Sequence, residues 1–442
     1  MSLIFLVHPI NSETVNYISD LQDILFFFFG IISFYIINHS PTQKQLILSY
    51  LLILFSVFSK ETGIVFIPVI LIFVFLYQRT KIYKHLLFSA ITVSIYFIFR
   101  FLVAGLYFGH DISAPIAKLS LAERVINIPA IVLYYLQKFL FPKNLVFAQN
   151  WIIKSTSSPN FYLPLLTLLI ICALVVLVGF YILKNDKKRT LTLFFFAGWF
   201  VLGIGLHIQL IPLDMTVADR WFYFPIVGLL GMVTVMFSCI DLSKFKIHYL
   251  ILPASILLFM AFSVRTIFRN MDWKNNMTLY SHDVLLEPNN YILENGVGSE
   301  LINQGQYTKA LPYIQKSIEI YPNWTLNWNN LGIIYFNLGQ KDEAKEALQM
   351  AISHAQFPLL YENLASILMS DIDQSPAKIF IESSLKKYPF DDKLWIKLAL
   401  VNERLGKHDE ALFAAQKAYS LVPKQNYAYI LQLLKQNQPL SN

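Results

Sequence analysis

The sequence predicts an all-α protein made of a polytopic transmembrane helical domain, residues 1–268, followed by an α-solenoid of helical repeats. Composition is the first reason: 56% of the 442 residues are hydrophobic and only 14% are charged, whereas soluble domains carry about 25% charged residues. The second reason is a motif that recurs about every 34 residues within 291–425. Long apolar stretches and a repeated motif favour helices in both halves.

The balance of basic and acidic residues differs between the apolar half, 1–268, and the rest of the chain. Residues 1–268 hold 19 Lys and Arg against 10 Asp and Glu, and residues 269–442 hold 16 against 18. The positive net charge therefore belongs to the apolar half. Because the repeats are slightly acidic, we predict no nucleic-acid partner. Cys172 and Cys239 lie inside apolar runs and are interpreted as lipid-facing or core thiols.

The apolar half divides into segments of membrane-spanning character, since a bilayer core takes roughly 17–25 mostly apolar residues per helix. We predict eight spans, at 22–38, 45–59, 62–78, 85–104, 161–183, 191–208, 222–240 and 247–267. The stretch 121–141 contains Pro129 and carries Glu123, Arg124, Asn127 and Lys138. We expect it to form an interfacial or re-entrant helix.

Basic loops then predict the orientation, because cytoplasmic loops are enriched in Lys and Arg. The loops 79–84 and 184–189 are the most basic, and weaker ones hold Lys44 and the pair Lys244 and Lys246. All four fall on one side if 121–141 does not cross. The segment 11–23, the loops 106–120 and 209–220, and the C-terminal half are then expected on the extracytoplasmic side.

The second half repeats one pattern four times. Its clearest copy is Trp328-x-x-Leu331-Gly332-x-x-Tyr335 followed by Ala344, Leu348 and Ala351. The corresponding glycine or alanine in the other copies is Gly298, Ala365 and Ala399. This is a tetratricopeptide repeat (TPR) pattern, in which small residues let paired helices approach and large ones fill the space between them. We predict four repeats over 291–425.

The flanking segments complete the predicted organisation. Residues 269–290 are expected to form a connecting helix that caps the first repeat, and residues 426–442 a C-terminal helix or tail. TPR arrays usually bind ligands on their concave face, for which Asn329, Asn330 and Asn363 are candidates.

Ionisable groups near apolar spans are expensive, so they are functional candidates. They fall in four clusters: His8-Pro9 with Glu13, Asp20 and Asp23; Ser59-Lys60-Glu61; Asp214 with Asp219-Arg220-Trp221; and Arg269 with Trp273. The predicted topology puts the first three on one outer face, where they could hold an anionic headgroup, a sugar and a proton acceptor.

The first three clusters also have structural interpretations. Lys60-Glu61 could be a turn, Arg220 could snorkel from a helix start, and His8 could cap a loop. Glu13 and Asp23 could compensate helix dipoles. The sequence contains no glycine-rich phosphate loop, metal-ligand spacing or nucleophile elbow, and we predict no metal ligands.

The run from His8 to Ser19 with Asp23-Ile24-Leu25, the triplet Ser59-Lys60-Glu61, and Asp219-Arg220-x-x-Tyr223-x-Pro225-x-x-Gly228 resemble three blocks of a known family. Together with the TPR array they are similar to the transmembrane and TPR-containing glycosyltransferases, which are protein O-mannosyltransferase-like and have the GT-C fold. The sequence departs from the family where Leu21 replaces an Arg and Asp219 replaces a Glu.

The resemblance implies transfer of a sugar, with mannose favoured, from a polyprenyl-phosphate donor to a protein acceptor that the repeats recruit. It implies a multi-pass protein of a bacterial inner membrane or endoplasmic reticulum membrane, with the repeats extracytoplasmic or luminal. The catalytic candidates are Glu13, Asp23 and Asp219. The candidates for binding substrate are His8, Lys60, Glu61 and Arg220, with Lys60 and Arg220 assigned to the phosphate. Whether a divalent metal takes part is left open.

The family is expected to carry its main acidic residue in the first outer loop, after its first span. The residues after Met1 resemble the end of a later span, so we expect that loop and the spans around it to be missing from this chain. The alternative function is a non-catalytic, membrane-anchored TPR scaffold for protein–protein interaction.

Overall fold

The structure, a computed structural model, describes residues 1–39, 41–105, 114–156, 159–239 and 248–438. The first part of the predicted loop 106–120 and the basic pair Lys244 and Lys246 lie outside these ranges. The chain forms two compact units, Met1–Glu287 and Pro288–Asn442. Within the described residues both units are helical, and the predicted all-α class is confirmed.

The first unit contains twelve α-helices among its described residues. They are α1 Ser2–Val7, α2 Ser12–Asn16, α3 Leu21–Asn38, α4 Gln43–Ser59, α5 Phe66–Tyr77, α6 Ile82–Ile98, α7 Leu121–Leu140, α8 Pro159–Asn185, α9 Lys187–Gly205, α10 Pro225–Ser238, α11 His248–Asp272 and α12 Asn276–Leu286. Each of the eight predicted spans overlaps one of these helices. Among the residues that the structure describes, four segments are long and apolar enough to cross a membrane: Ile18–Asn38, Arg79–Val103, Pro159–Asn185 and Tyr249–Asp272.

Apolar packing in the first unit is dominated by aromatic rings, which hold α3, α4, α5 and α9 together. Phe66 packs against Gly30, where an added Cβ would lie 2.0 Å from the ring. Trp199 on α9 is buried and donates through its indole nitrogen to the Phe224 carbonyl at 3.0 Å. These contacts fix the start of α5 against α3 and the start of α10 against α9, and polar clusters lie beside both starts.

Helix α7 is one continuous helix despite Pro129. Ser120 and Glu123 form a reciprocal capping box at its N-terminus. Asn127 bonds to the backbone of Ile153 in both directions, at 2.7 and 3.0 Å, and Arg124 donates to the Gln209 carbonyl at 3.0 Å. The polar residues of this helix therefore bind neighbouring loops.

The second unit consists of four helix pairs and a final helix among its described residues. They are α13 Tyr291–Asn303, α14 Tyr307–Ile320, α15 Thr325–Asn337, α16 Lys341–His354, α17 Pro358–Leu368, α18 Ser375–Lys387, α19 Asp392–Arg404, α20 His408–Leu421 and α21 Gln425–Lys435. Gly332 packs against Leu348, whose Cγ would lie 2.7 Å from an added Cβ. The close approach of the paired helices explains why the repeat needs a small residue there.

The predicted connecting segment 269–290 is divided by the structure. Helix α12 lies within the first unit, and the boundary between the units falls after Glu287. Arg269 on α11 pairs with Asp283 on α12 at 2.7 Å, and both side chains are buried. This ion pair ties α12 to the last long helix of the first unit, and the capping of the first repeat stays a prediction.

A candidate site of buried ion pairs beside an apolar cleft

Three of the polar motifs form short 3-10 turns, each leading to a helix. Pro9–Asn11 precedes α2, Glu61–Val65 precedes α5, and Asp219–Phe222 precedes α10. A proline within the first turn suits the start of both α5 and α10, because that position needs no backbone N–H donor. The turns present their charged side chains at the ends of apolar helices, and the structure brings several of these groups into contact.

Arg220 is the centre of the cluster. Its guanidinium pairs with Glu13 and also lies 3.3 Å from an Asp20 carboxylate oxygen. Its backbone N–H donates to the second oxygen of Glu13 at 3.1 Å. All three side chains are buried, so Arg220 is already neutralised by carboxylates of the first motif.

Lys60 forms a second pair, with its ammonium 2.5 Å from Asp23. Asp23 is buried, while the Lys60 side chain keeps 18% of its surface exposed. Lys60 is therefore a cation that is positioned by a buried carboxylate and still reaches an open surface.

Asp219 has a different environment, although it is next to Arg220 in sequence. It accepts a hydrogen bond from the Tyr134 hydroxyl at 2.6 Å, and Gln149 donates to that hydroxyl at 3.2 Å. Burial raises the pKa of Asp219 to about 6, although the Tyr134 hydrogen bond and Lys138 act in the opposite direction. A carboxyl with a raised pKa is suited to proton transfer.

His8 and Glu61 are not brought to these carboxylates. The His8 Nε2 lies 2.9 Å from the Phe139 carbonyl oxygen, and its Nδ1 accepts from the Ile10 N–H at 3.3 Å. Burial lowers the pKa of His8 to about 4, so a neutral ring fits its role as the cap of the first turn. Glu61 is exposed and pairs with Arg100.

An apolar cleft of about 670 Å³ opens beside Lys60. Its charged lining consists of Lys60, Arg100 and the Glu61 carboxylate that pairs with Arg100, and its apolar walls come from α4, α6 and the turn after α6. Arg100 also donates to the Tyr96 hydroxyl at 2.8 Å. The cleft therefore places two cationic side chains at the edge of a largely apolar surface.

Sequence reasoning did not single out Arg100, Tyr134 or Gln149. A signal existed for Arg100, because it is an ionisable residue inside the apolar stretch 85–104. Tyr134 and Gln149 carry no such signal. A tyrosine near the bilayer is commonly an interfacial anchor, and the partner that gives Tyr134 a role lies 85 residues further along the chain.

The fourth cluster, around Arg269, forms buried ion pairs that join α11 to α12. Arg269 makes two bonds to Asp283, at 2.7 and 3.0 Å, and the second Asp283 oxygen also accepts from the Phe147 N–H at 2.8 Å. Asp272 lies 3.2 Å from the same guanidinium.

Within the part of the chain that the structure describes, no group of three or more His, Cys, Asp or Glu residues could hold a metal ion.

Comparison with known proteins confirms the resemblance. The tetratricopeptide repeat family matches residues 295–323, 327–353 and 392–425. Protein O-mannosyl-transferase TMTC3 of Homo sapiens is 29% identical over 235 residues, covering 52% of this chain and 23% of that protein. Protein O-mannosyl-transferase F38B6.6 of Caenorhabditis elegans is 25% identical over 328 residues, covering 73% and 46%.

The matched regions thus span between about a quarter and a half of the length of these relatives. Among solved structures, MamA from Desulfovibrio magneticus RS-1 is 18% identical, with a TM-score of 0.30, and the match covers 33% of this chain and 84% of that one. Apolar helices of spanning length and the named relatives together indicate a membrane protein with TPR repeats.

Proposed function

We propose that the protein is a membrane glycosyltransferase that moves a hexose, with mannose favoured, from a polyprenyl-phosphate carrier to a protein hydroxyl. Transfer takes place on the extracytoplasmic face, and the TPR repeats recruit the acceptor. The observation that carries the proposal is the cleft in which Lys60 and Arg100 border an apolar wall. The relatives named as O-mannosyl-transferases support the reaction class.

The cleft matches the two chemical parts of such a donor. An isoprenoid chain is apolar and suits the walls formed by α4 and α6, while a phosphate suits an ammonium and a guanidinium. Asp23 and Glu61 hold the two cations in place. Cations at this position stabilise the negative charge that develops on the phosphate as it leaves the sugar.

The carboxylates then have separate roles. Glu13 orients Arg220 and Asp23 orients Lys60, because each is committed to an ion pair. Asp219, which is held by Tyr134 and is not part of the cleft lining, is the remaining candidate to accept the proton of the acceptor hydroxyl, whose oxygen forms the new bond to the sugar as the bond from sugar to phosphate breaks. The carrier phosphate leaves with the electron pair of that bond.

The test is Lys60→Met, which keeps the apolar stem and removes the ammonium. We expect transfer of labelled mannose from polyprenyl-phosphate mannose to a protein acceptor to fall by about 100-fold or more. Lys84→Met is the matched control, since Lys84 is an exposed lysine in the first turn of α6, and it should transfer at the wild-type rate.

Two outcomes would contradict the proposal. Wild-type transfer by Lys60→Met would show that the cleft does not bind the donor phosphate. Absence of transfer by the wild-type protein in its native membrane, together with retained binding of a partner through the repeats, would favour the TPR scaffold.

A further inference from the structure

The last repeat contains a polar residue where the other three repeats have a large apolar one. Leu301, Tyr335 and Leu368 occupy this position in the first three repeats, and each packs against the apolar core of the second unit. In the fourth repeat the same position is Asn402. An amide there gives up apolar packing, so the substitution suggests a role other than filling the core.

Asn402 is only 2% exposed, yet its side-chain oxygen has no hydrogen-bond partner among the residues that the structure describes. Its backbone carbonyl, by contrast, accepts from the Lys407 N–H at 2.8 Å. A buried acceptor without a donor costs free energy unless a ligand satisfies it. Asn402 is also among the residues that line an open groove of about 560 Å³.

The groove combines aromatic walls with an acidic rim. Trp395 and Phe413 line it with ring centroids 6.0 Å apart. The Trp395 indole is held by its bond to the Pro389 carbonyl at 2.8 Å, and Phe413 is 56% exposed. Such rings offer a rigid surface to an apolar stem or a flat cation.

The charged lining is mainly negative, with Glu382, Asp409 and Glu410 against Lys386. Glu410 pairs with Lys378, which also lies 3.6 Å from Glu382. Asp409 is exposed and makes none of the ion pairs found among the described residues. The groove therefore presents one available carboxylate and one unsatisfied amide oxygen beside two aromatic rings.

We propose that this groove binds an arginine side chain of a partner polypeptide. The arginine stem packs on Trp395 and Phe413, while its guanidinium donates to the Asn402 oxygen and to Asp409. Arginine fits because it carries five donors in a plane and packs on aromatic surfaces. The proposal does not rest on the glycosyltransferase function.

The experiment uses the full chain in detergent and ligand-observed NMR, which suits weak binding. The probe is a heptapeptide of glycine and serine with one central arginine, and the matched peptide has citrulline, which keeps the shape and loses the charge. We expect the citrulline peptide to bind at least about tenfold more weakly. Equal binding of the two peptides would overturn the proposal.

Asn402→Leu separates a binding role from a structural one. Leucine is the residue of the first and third repeats at this position, and it removes the unpaired oxygen. We expect the variant to melt at least about 2 °C higher than the wild type and to bind the arginine peptide about tenfold more weakly. Asn337→Leu, at an exposed site on α15, should leave binding unchanged. Wild-type binding by Asn402→Leu would exclude Asn402 from the site.

Discussion

Arg220 and Lys60 have the same charge but different accessibility, and this difference separates their roles. Arg220 is buried between Glu13 and Asp20, whereas Lys60 has one carboxylate partner and lines the cleft. Removing one partner of a buried ion pair leaves an uncompensated charge, so changes at Arg220 disturb folding as well as any chemistry. Lys60 is therefore the more informative residue for testing donor binding.

Asp219 yields a prediction about the pH dependence of stability. Burial raises its pKa from 3.8 to about 6, so folding favours the protonated carboxyl. This stabilisation is fully present below about pH 4 and is lost as the pH rises through 6. Relative to Asp219→Asn, the wild-type free energy of unfolding should fall by about 2 kcal/mol between pH 4 and pH 7.

The measurement is denaturant unfolding of both proteins in the same detergent across this pH range. Asparagine keeps an oxygen that can accept from Tyr134, so the comparison isolates the titration. A difference between the two proteins that does not change with pH would show that Asp219 keeps an ordinary pKa.

The residue types of the candidate site could be predicted from sequence, but their pairing could not. Charged groups beside apolar runs pointed to Glu13, Lys60 and Asp219. Their partners are brought near by the fold: Arg220 meets Glu13 across 207 residues, and Tyr134 meets Asp219 across 85. The periodicity of a single sequence does not report contacts over such separations. The prediction that Arg220 binds a phosphate therefore did not include the carboxylates that surround it in the structure.

At the scale of elements, helix existence was easier to predict than helix ends. The predicted span 62–78 begins in the structure as a 3-10 turn, and the α-helix starts at Phe66. Pro68 was the available signal, because proline favours the first turn of a helix. Gly63 explains the tight turn, since an added Cβ would lie 2.5 Å from the Ser56 carbonyl oxygen.

Helices α9 and α10 pack so closely that a glycine is required at position 228. A Cβ on Gly228 would lie 2.5 Å from the Phe200 nitrogen and 2.8 Å from the Phe196 carbonyl oxygen. Both contacts are with backbone, so the helices must separate to admit a methyl group. We expect Gly228→Ala to lower the free energy of unfolding by about 1–3 kcal/mol.

Gly205→Ala is the control, because Gly205 ends α9 and a Cβ added there would have no neighbour within 4 Å. It should leave stability unchanged or raise it slightly, since alanine is the better helix former. Thermal unfolding in detergent compares the two variants, and equal melting temperatures would show that the helices are not held together at Gly228.

At the scale of the whole molecule, the repeats were predictable because their pattern is local and recurs four times. Each copy specifies its own helix pair, and the structure has such a pair at each predicted copy. The orientation of the membrane half depends instead on helix α7, which one sequence cannot assign to the interface or to a crossing. Its side chains bind the backbones of neighbouring loops, which favours an interfacial position and makes the topology a testable prediction.

The test labels single cysteines with a membrane-impermeant maleimide, after Cys172 and Cys239 are replaced by alanine. Lys84→Cys and Lys187→Cys report on the two basic loops, and Ser383→Cys reports on the repeats; all three positions are exposed. If α7 does not cross, two spans separate the basic loops and five separate Lys84 from the repeats. We therefore expect Lys84→Cys and Lys187→Cys to react from one side of sealed vesicles, and Ser383→Cys from the other. If α7 crosses, Lys84→Cys will react together with Ser383→Cys, one basic loop will face outward against the usual charge rule, and the predicted orientation is wrong.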